Sequence, residues 1–241
     1  MALLELAGVG KRYGRGQLER VALRGICFEL SEGELLAIWG RRNSGRSTLL
    51  RVAAGLEPPE EGAVLLDGGN VHARGGEELR GQIRYCRKTY RASEGQLVID
   101  RLITTQLTRG IPAASARSRA HEALARSGAS HCATLKPSQL DIAETVLVGI
   151  ARSLVHQPRL LVIDEPTLGV DLFERDRILS LLRSLADEGI SVLMSVGESS
   201  CLAGADRALS LAGGELHGEL QPPEPAAVIQ LHDPARRAVS A

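Results

Sequence analysis

No run of apolar residues in this sequence approaches the roughly 18 needed to cross a bilayer as a helix. Residues 1–10 have neither the basic start nor the long apolar stretch of a secretory leader. A soluble chain is therefore expected, one that meets a membrane only by docking on another protein. Excess charge is missing too. Lys+Arg and Asp+Glu stand at 29 each, so no whole-chain field favours nucleic acid or anionic lipid, and no nucleic-acid partner is expected. Cysteine is sparse: Cys27, Cys86, Cys132 and Cys201 lie far apart, without a Cys-x-x-Cys pair or metal-ligand spacing. That suits reduced, small, buried thiols in a cytosol. Lysine is scarcer still, since only Lys11, Lys88 and Lys136 stand among the 29 basic residues, and the bias toward Arg bears on one motif below.

What is present is a 44% apolar content, enough for a proper core in one compact unit with a subdomain. Short apolar runs alternate with longer amphipathic stretches, the pattern of parallel strands covered by helices. Residues 35–39, 160–163 and 192–194 read as buried strands. Between the last two, residues 172–187 place Ile178, Leu181, Leu182 and Leu185 on one helical face, making a strand, helix, strand crossover. Residues 3–6 and 22–30 read as strands joined by a Gly-rich turn at 14–16, an antiparallel edge layer. From 97 to 130 the sequence turns Ala- and Arg-rich, a helical insertion with a helix around 114–127. After Leu216 it becomes Pro-, Ala- and charge-rich, and a mobile tail over 217–241 is expected.

The string Gly40-Arg-Arg-Asn43-Ser44-Gly45-Arg46-Ser47-Thr48 follows the strand 35–39 and precedes the apolar helix start Leu49-Leu50. This is the context of a phosphate-binding loop, in which glycines let backbone N–H groups turn onto an anion and the helix N-terminus adds positive potential. The match to GxxxxGK[ST] fails only at Arg46, where the pattern has Lys. An ammonium is a compact point charge, whereas a guanidinium is longer, planar and bidentate, so binding can survive the exchange while transition-state positioning suffers. Ser47 keeps the hydroxyl expected to ligate Mg2+. Farther on, four apolar strand residues end in Asp164-Glu165, which puts Asp164 at the strand's carboxyl end beside the loop. Asp164 can hold Mg2+ through water, and Glu165 can polarise an attacking water as general base.

Asp164-Glu165-Pro166-Thr167, a short loop and Asp171 resemble the Walker B and D-loop of ABC transporter ATPases, and the likeness runs from about residue 3 to 216. Gly8-Val-Gly-Lys-Arg-Tyr13-Gly resembles the family's adenine-stacking loop, with Tyr13 as the aromatic. Ile150-Ala-Arg-Ser-Leu154 and His156-Gln-Pro158 resemble the stretch leading into Walker B. The resemblance implies an α/β P-loop NTPase fold with a mixed, mainly parallel sheet, an N-terminal antiparallel β layer and a helical subdomain at about 90–156, all within residues 1–216. It implies ATP and Mg2+ as cofactors, with the nucleotide at Tyr13, Gly40, Asn43, Ser44, Gly45, Arg46, Ser47, Thr48 and Asp164, the metal at Ser47 and Asp164, and Glu165 as catalytic base. The implied partners are a transmembrane permease and a second ATP-binding subunit, identical or not. The implied location is peripheral, on the cytoplasmic face of the membrane.

Several positions depart from the family's pattern. Counting back from Ile150 puts the LSGGQ signature at Leu140-Asp141-Ile142-Ala143-Glu144, so only Leu is kept. Asp141 would offer a negative charge to the phosphate that the signature serves in the opposing subunit. Its spacing from Glu144 fits a helix N-cap with a capping-box partner instead. The switch histidine aligns with Gly197, which has no side chain to reach a phosphate. The Gln-loop should follow Ile83-Arg-Tyr-Cys86, yet Arg87 and Lys88 stand there. Two uses stay open: a working ATP-driven transporter subunit, and a nucleotide-binding regulatory or structural subunit with weak or no turnover. Residues 98–111 resemble the corresponding stretch of lipoprotein-release and macrolide-export ATPases, which hints at an exporter-type permease.

Overall fold

A computed structural model describes residues 2–14, 18–86 and 95–222. The chain opens on a long hairpin of β1 (Ala2–Tyr13) and β2 (Arg20–Ser31), followed by β3 (Leu35–Trp39) and α1 (Arg46–Ala53). Next come β4 (Glu61–Leu66), β5 (Gly69–Asn70), the short α2 (Glu77–Gly81) and β6 (Ile83–Cys86). Three helices, α3 (Val98–Leu107), α4 (Ala113–Arg126) and α5 (Ile142–Leu154), form the insertion. The chain then returns through β7 (Leu160–Asp164), α6 (Leu172–Asp187), β8 (Ser191–Val196), β9 (Arg207–Ala212) and β10 (Glu215–Leu220).

Two sheets result. One is antiparallel, in the order β2-β1-β4-β5; the other runs β10-β9-β3-β8-β7-β6, parallel except where β10 pairs antiparallel with β9. The strands read as unbroken apolar runs because both faces of the larger sheet are covered. Alternate residues go to different cores. Leu35 and Ala37 of β3, Leu161 and Ile163 of β7, and Val192 and Met194 of β8 join α3 to α6 in one core. Leu36, Ile38, Leu160, Val162 and Leu193 join α1 and the antiparallel sheet in the other. Each of these side chains except the smaller Ala37 contributes roughly 1.5–3 kcal/mol by leaving water, and together they fix the ends of β3, β7 and β8 side by side.

The β7–α6–β8 crossover is as expected. Asp171 caps α6 by accepting from the Glu174 N–H at 2.9 Å, and Ile178, Leu182 and Leu185 are buried with Leu181 packed partly against them. The hairpin is longer than the alternation suggested, because register shifts at Leu6/Val9 and again near Lys11 break the period of two while the pairing continues. The last strand runs to Leu220, beyond the expected boundary at Leu216. A bulge between Leu216 and Glu219 interrupts the alternation there, and Arg207 Nε holds Glu219 at 2.8 Å across the pair. The remainder of the expected tail, 223–241, lies outside the described residues, as do Arg87 and Lys88. Cys86, Cys132 and Cys201 are buried as expected, but Cys27 is exposed on β2, where its Sγ accepts from the Gly8 N–H at 3.1 Å. Among the described residues no helix is long and apolar enough to cross a membrane.

His156, just past α5, is half-buried beneath the insertion. Gln106 Nε2 lies 3.3 Å from its Nδ1, and Arg109 donates to the same nitrogen. Guanidinium has no acceptor, so Nδ1 must carry a lone pair and the ring must be neutral. Burial, with Arg84, Arg109 and Arg152 nearby, lowers its pKa from 6.5 to about 4. The unfolded chain then takes up the proton first as pH falls, so this group's stabilisation is complete above pH 6.5 and declines toward pH 4. At a half-exposed ring we expect about 1–2 kcal/mol after screening. Urea unfolding at pH 7 and pH 4.5 checks this: the loss should be smaller in His156→Gln, and an equal loss in both proteins contradicts it.

Candidate functional site

The parallel strands end at one edge of the sheet, and the sharp turn from β3 into α1 lies there. Two left-handed residues make that turn, Asn43 at φ 67° and Gly45 at φ 108°. A Cβ on Gly45 would stand 2.5 Å from the Ala22 carbonyl oxygen, so the loop can close against β2 only without a side chain there. Gly40 N–H donates to the Val196 carbonyl at 3.3 Å, Ser44 N–H to Arg41 at 3.1 Å, and Gly214 N–H to the Ser44 carbonyl at 3.0 Å, which ties the loop to β8 and to the β9–β10 turn. Among the described residues no side chain caps α1, so the N–H groups of its first turn, at Arg46, Ser47 and Thr48, can take an outside acceptor.

A cavity of about 430 Å3 opens over this turn, lined by Tyr13, Ala22, Arg42, Asn43, the loop residues through Thr48, Glu165 and Gly214. Its chemistry fits a polyphosphate. The helix N-terminus and Arg42 face it; Ser44 lines it too, and its buried Oγ has no hydrogen-bond partner among the described residues. An orphaned buried hydroxyl costs about 1–3 kcal/mol. Tyr13, the residue expected to stack adenine, stands at the wall and is 38% exposed. Its hydroxyl donates to Glu57, lies 3.4 Å from Thr48 Oγ1 and receives Arg51 Nη2 at 3.2 Å, so the ring is held in place. Lys11 Nζ already sits 5.6 Å from its centroid.

Asp164 ends β7 and is buried rather than on the wall. Its Oδ1 accepts from Ser195 Oγ at 2.6 Å and its Oδ2 from the Tyr85 hydroxyl at 3.3 Å, one partner from each neighbouring strand. Ser195 Oγ also accepts the Glu165 N–H at 3.0 Å, which steadies Glu165 in a left-handed conformation at φ 47°. Neither Ser195 nor Tyr85 was anticipated, and the only signal for Ser195 is that it interrupts the apolar run Val192-Leu-Met-Ser-Val. Ser47, the other expected metal residue, is exposed on the cavity wall.

Arg46 is not extended over the loop. One guanidinium nitrogen, Nη1, donates to the Val196 carbonyl and the other, Nη2, to Glu165 Oε1, with the side chain only 7% exposed. Gly197 lies against this pair: a Cβ there would stand 3.3 Å from Arg46 Nη1, 3.7 Å from Nη2 and 3.9 Å from Glu165 Oε1.

None of residues 140–144 lines the cavity. Asp141 is the N-cap of α5: its Oδ1 accepts the Glu144 N–H at 2.7 Å, and Glu144 Oε2 accepts the Asp141 N–H at 3.0 Å. Glu144 Oε1 also meets His131 Nε2 at 3.0 Å. Leu140 is half-buried, Ala143 buried, and Ile142 is 56% exposed. Asp141→Ala should cost about 1 kcal/mol in urea unfolding and Asp141→Ser much less, because Ser keeps a capping oxygen. Equal losses would remove the cap as the reason for Asp at this position.

The ABC transporter family model matches residues 23–168. The chain is 35% identical over 221 residues to the lipoprotein-releasing system ATP-binding protein LolD of Pseudomonas syringae pv. tomato, covering 89% of this chain and 97% of LolD. It is 30% identical over 229 residues to the macrolide export ATP-binding/permease protein MacB 1/2 of Paracoccus denitrificans, covering 93% of this chain but only 34% of that longer protein. The dimeric structure of MJ0796, a bacterial ABC transporter cassette, superposes with a TM-score of 0.81 at 25% identity, over 91% of this chain and 99% of that one. A phosphate loop between β3 and α1, an acidic pair closing β7 beside it, an inserted helical unit and these likenesses converge: the chain belongs to the ABC transporter family.

Proposed function

We propose that this chain is the ATP-binding subunit of a membrane transporter, working as a dimer that couples Mg·ATP binding and hydrolysis to a separate permease at the cytoplasmic face of the membrane. The observation that carries the reading is the placing of Glu165 on the wall of the phosphate-loop cavity, with Asp164 held behind it by Ser195 and Tyr85. The N–H groups of α1 and the Arg42 side chain receive the phosphates, and Tyr13 takes the adenine. Ser47 and Asp164 are the residues to hold Mg2+, whose chemistry is to neutralise charge on the terminal phosphates. Glu165 accepts the proton of the attacking water and Arg46 is its charged neighbour.

Dimer formation is supported by apolar side chains left in solvent next to the site. Leu168 is 48%, Leu172 69% and Phe173 78% exposed, and Leu168 and Leu172 line a second cavity that shares Arg46 and Glu165 with the first. Gly169 approaches Ile142 at the start of α5, so this patch and the 140–144 turn form one surface. MJ0796, of the same fold, is a dimer. LolD belongs to a lipoprotein-releasing system and MacB to macrolide export, while MetN 1 of Rhodococcus jostii, 35% identical over 202 residues, serves methionine import, so the direction of transport is set by the permease.

Steady-state phosphate release tests this reading. The rate per mole should rise with protein concentration, because two subunits complete each site, and Phe173→Glu should lower it at least tenfold with the fold intact. A rate per mole independent of concentration and insensitive to Phe173→Glu would overturn the dimer. Nucleotide binding without any phosphate release would favour the subunit that binds and does not turn over.

A further inference from the structure

Arg46 and Gly197 look like two separate losses against the family's pattern, one in the phosphate loop and one after β8. In the folded chain they lie against each other. The guanidinium occupies the space beside Gly197: its Nη1 bonds the carbonyl of the preceding residue, Val196, and its Nη2 bonds Glu165. A side chain at 197 would press on this group, since even a Cβ would sit 3.3 Å from Nη1, tighter than nine in ten such contacts, and the guanidinium would have to give by a few tenths of an ångström. The reverse also holds. A lysine at 46 offers all its donors from a single nitrogen, whereas the guanidinium presents two nitrogens in a fixed plane and can grip a carbonyl and a carboxylate together.

This contact is well placed to matter. Glu165 has a strained backbone, anchored through its N–H to Ser195 Oγ at 3.0 Å, and its Oε1 is taken by Arg46. Arg42, Arg46 and Glu165 line both the phosphate-loop cavity and the second cavity that reaches Leu168 and Gly197, so the ion pair forms part of the wall between them. That wall is where the carboxylate must stand to meet a water on one side and a terminal phosphate on the other.

We infer that Arg46 is a positioning residue for Glu165, able to act because position 197 is glycine: the guanidinium supplies, from the loop side, the polar group that position 197 lacks. Its effect on turnover rests on the proposed role of Glu165 as base; the packing of 46 against 197 rests on geometry alone.

The test is a cycle of four proteins: wild type, Arg46→Lys, Gly197→His and the double variant. Nucleotide-free melting temperature, Mg·ADP affinity and steady-state phosphate release are measured on each. Gly197→His should lower the melting temperature by about 5 °C in the Arg46 protein and by about 1 °C or less beside Arg46→Lys. The double variant should release phosphate at least about tenfold faster than the product of the two single effects, with the difference in kcat rather than KM. If Gly197→His fails to fold, Gly197→Ala, whose Cβ meets the same guanidinium, gives the same comparison. Additive melting temperatures overturn the pairing of 46 with 197. Coupled melting temperatures with additive kcat values leave the packing and overturn the positioning role. Coupled melting temperatures and retained Mg·ADP binding, with no phosphate released by any of the four, overturn the base role of Glu165 and the positioning role with it, while the packing unit stands.

Discussion

Glu165→Gln should lower Mg·ATP turnover by at least about a hundredfold, the lower end of what a positioned base contributes, while nucleotide is held as tightly as before or more so. The substitution removes the proton acceptor and the negative half of the pair with Arg46, and leaves the hydrogen bonds around it in place. Ser195 Oγ still receives the backbone N–H of residue 165, and the amide oxygen of Gln still accepts from Arg46, so the left-handed turn and the cavity wall keep their supports. Steady-state phosphate release beside a nucleotide titration separates the two effects. A wild-type rate in Glu165→Gln would remove the catalytic role from this residue.

The second large effect is expected at Asp164. Its two oxygens accept from two hydroxyls, Ser195 at 2.6 Å and Tyr85 at 3.3 Å, in a buried site. Asn turns one of those acceptors into a donor, which faces a hydroxyl that must reorient or lose its partner, at about 1–3 kcal/mol of stability. It also removes the negative charge on which Mg2+ depends. In Asp164→Asn the gain in ATP affinity that Mg2+ gives the wild type should be lost, by roughly thirtyfold or more, equivalent to about 2 kcal/mol. Titrations with Mg2+ and with chelator measure it, and an undiminished Mg2+ dependence would move the metal site elsewhere.

The parts of this fold that could be read in advance are those where local pattern and burial coincide. Residues 35–39 and 160–163 are short apolar runs because both faces of their strands meet a core. The α6 stripe and the Asp141–Glu144 box are fixed by spacing within a few residues, and both appear where the spacing places them. The hairpin and β10 were underestimated, since bulges break the alternation without ending the pairing. Ser195 and Tyr85 escaped because they reach Asp164 from strands on either side of β7, and that neighbourhood exists only once the sheet order is known. For the same reason Arg46 and Gly197 read as unrelated departures; their contact spans the sheet edge, and no local spacing encodes it. Cys27 breaks the expectation of burial because it falls on the outward face of β2, where the strand alternates and a small residue can face water.

Calorimetric titration of the purified, nucleotide-free chain with Mg·ATP, with Gly45→Val alongside, asks whether the turn from β3 into α1 holds the nucleotide. Saturable binding is expected for the wild type and none for a loop whose added Cβ collides with the Ala22 carbonyl. Absence of binding to the wild type up to millimolar ATP, or equal binding to a folded Gly45→Val, would contradict it.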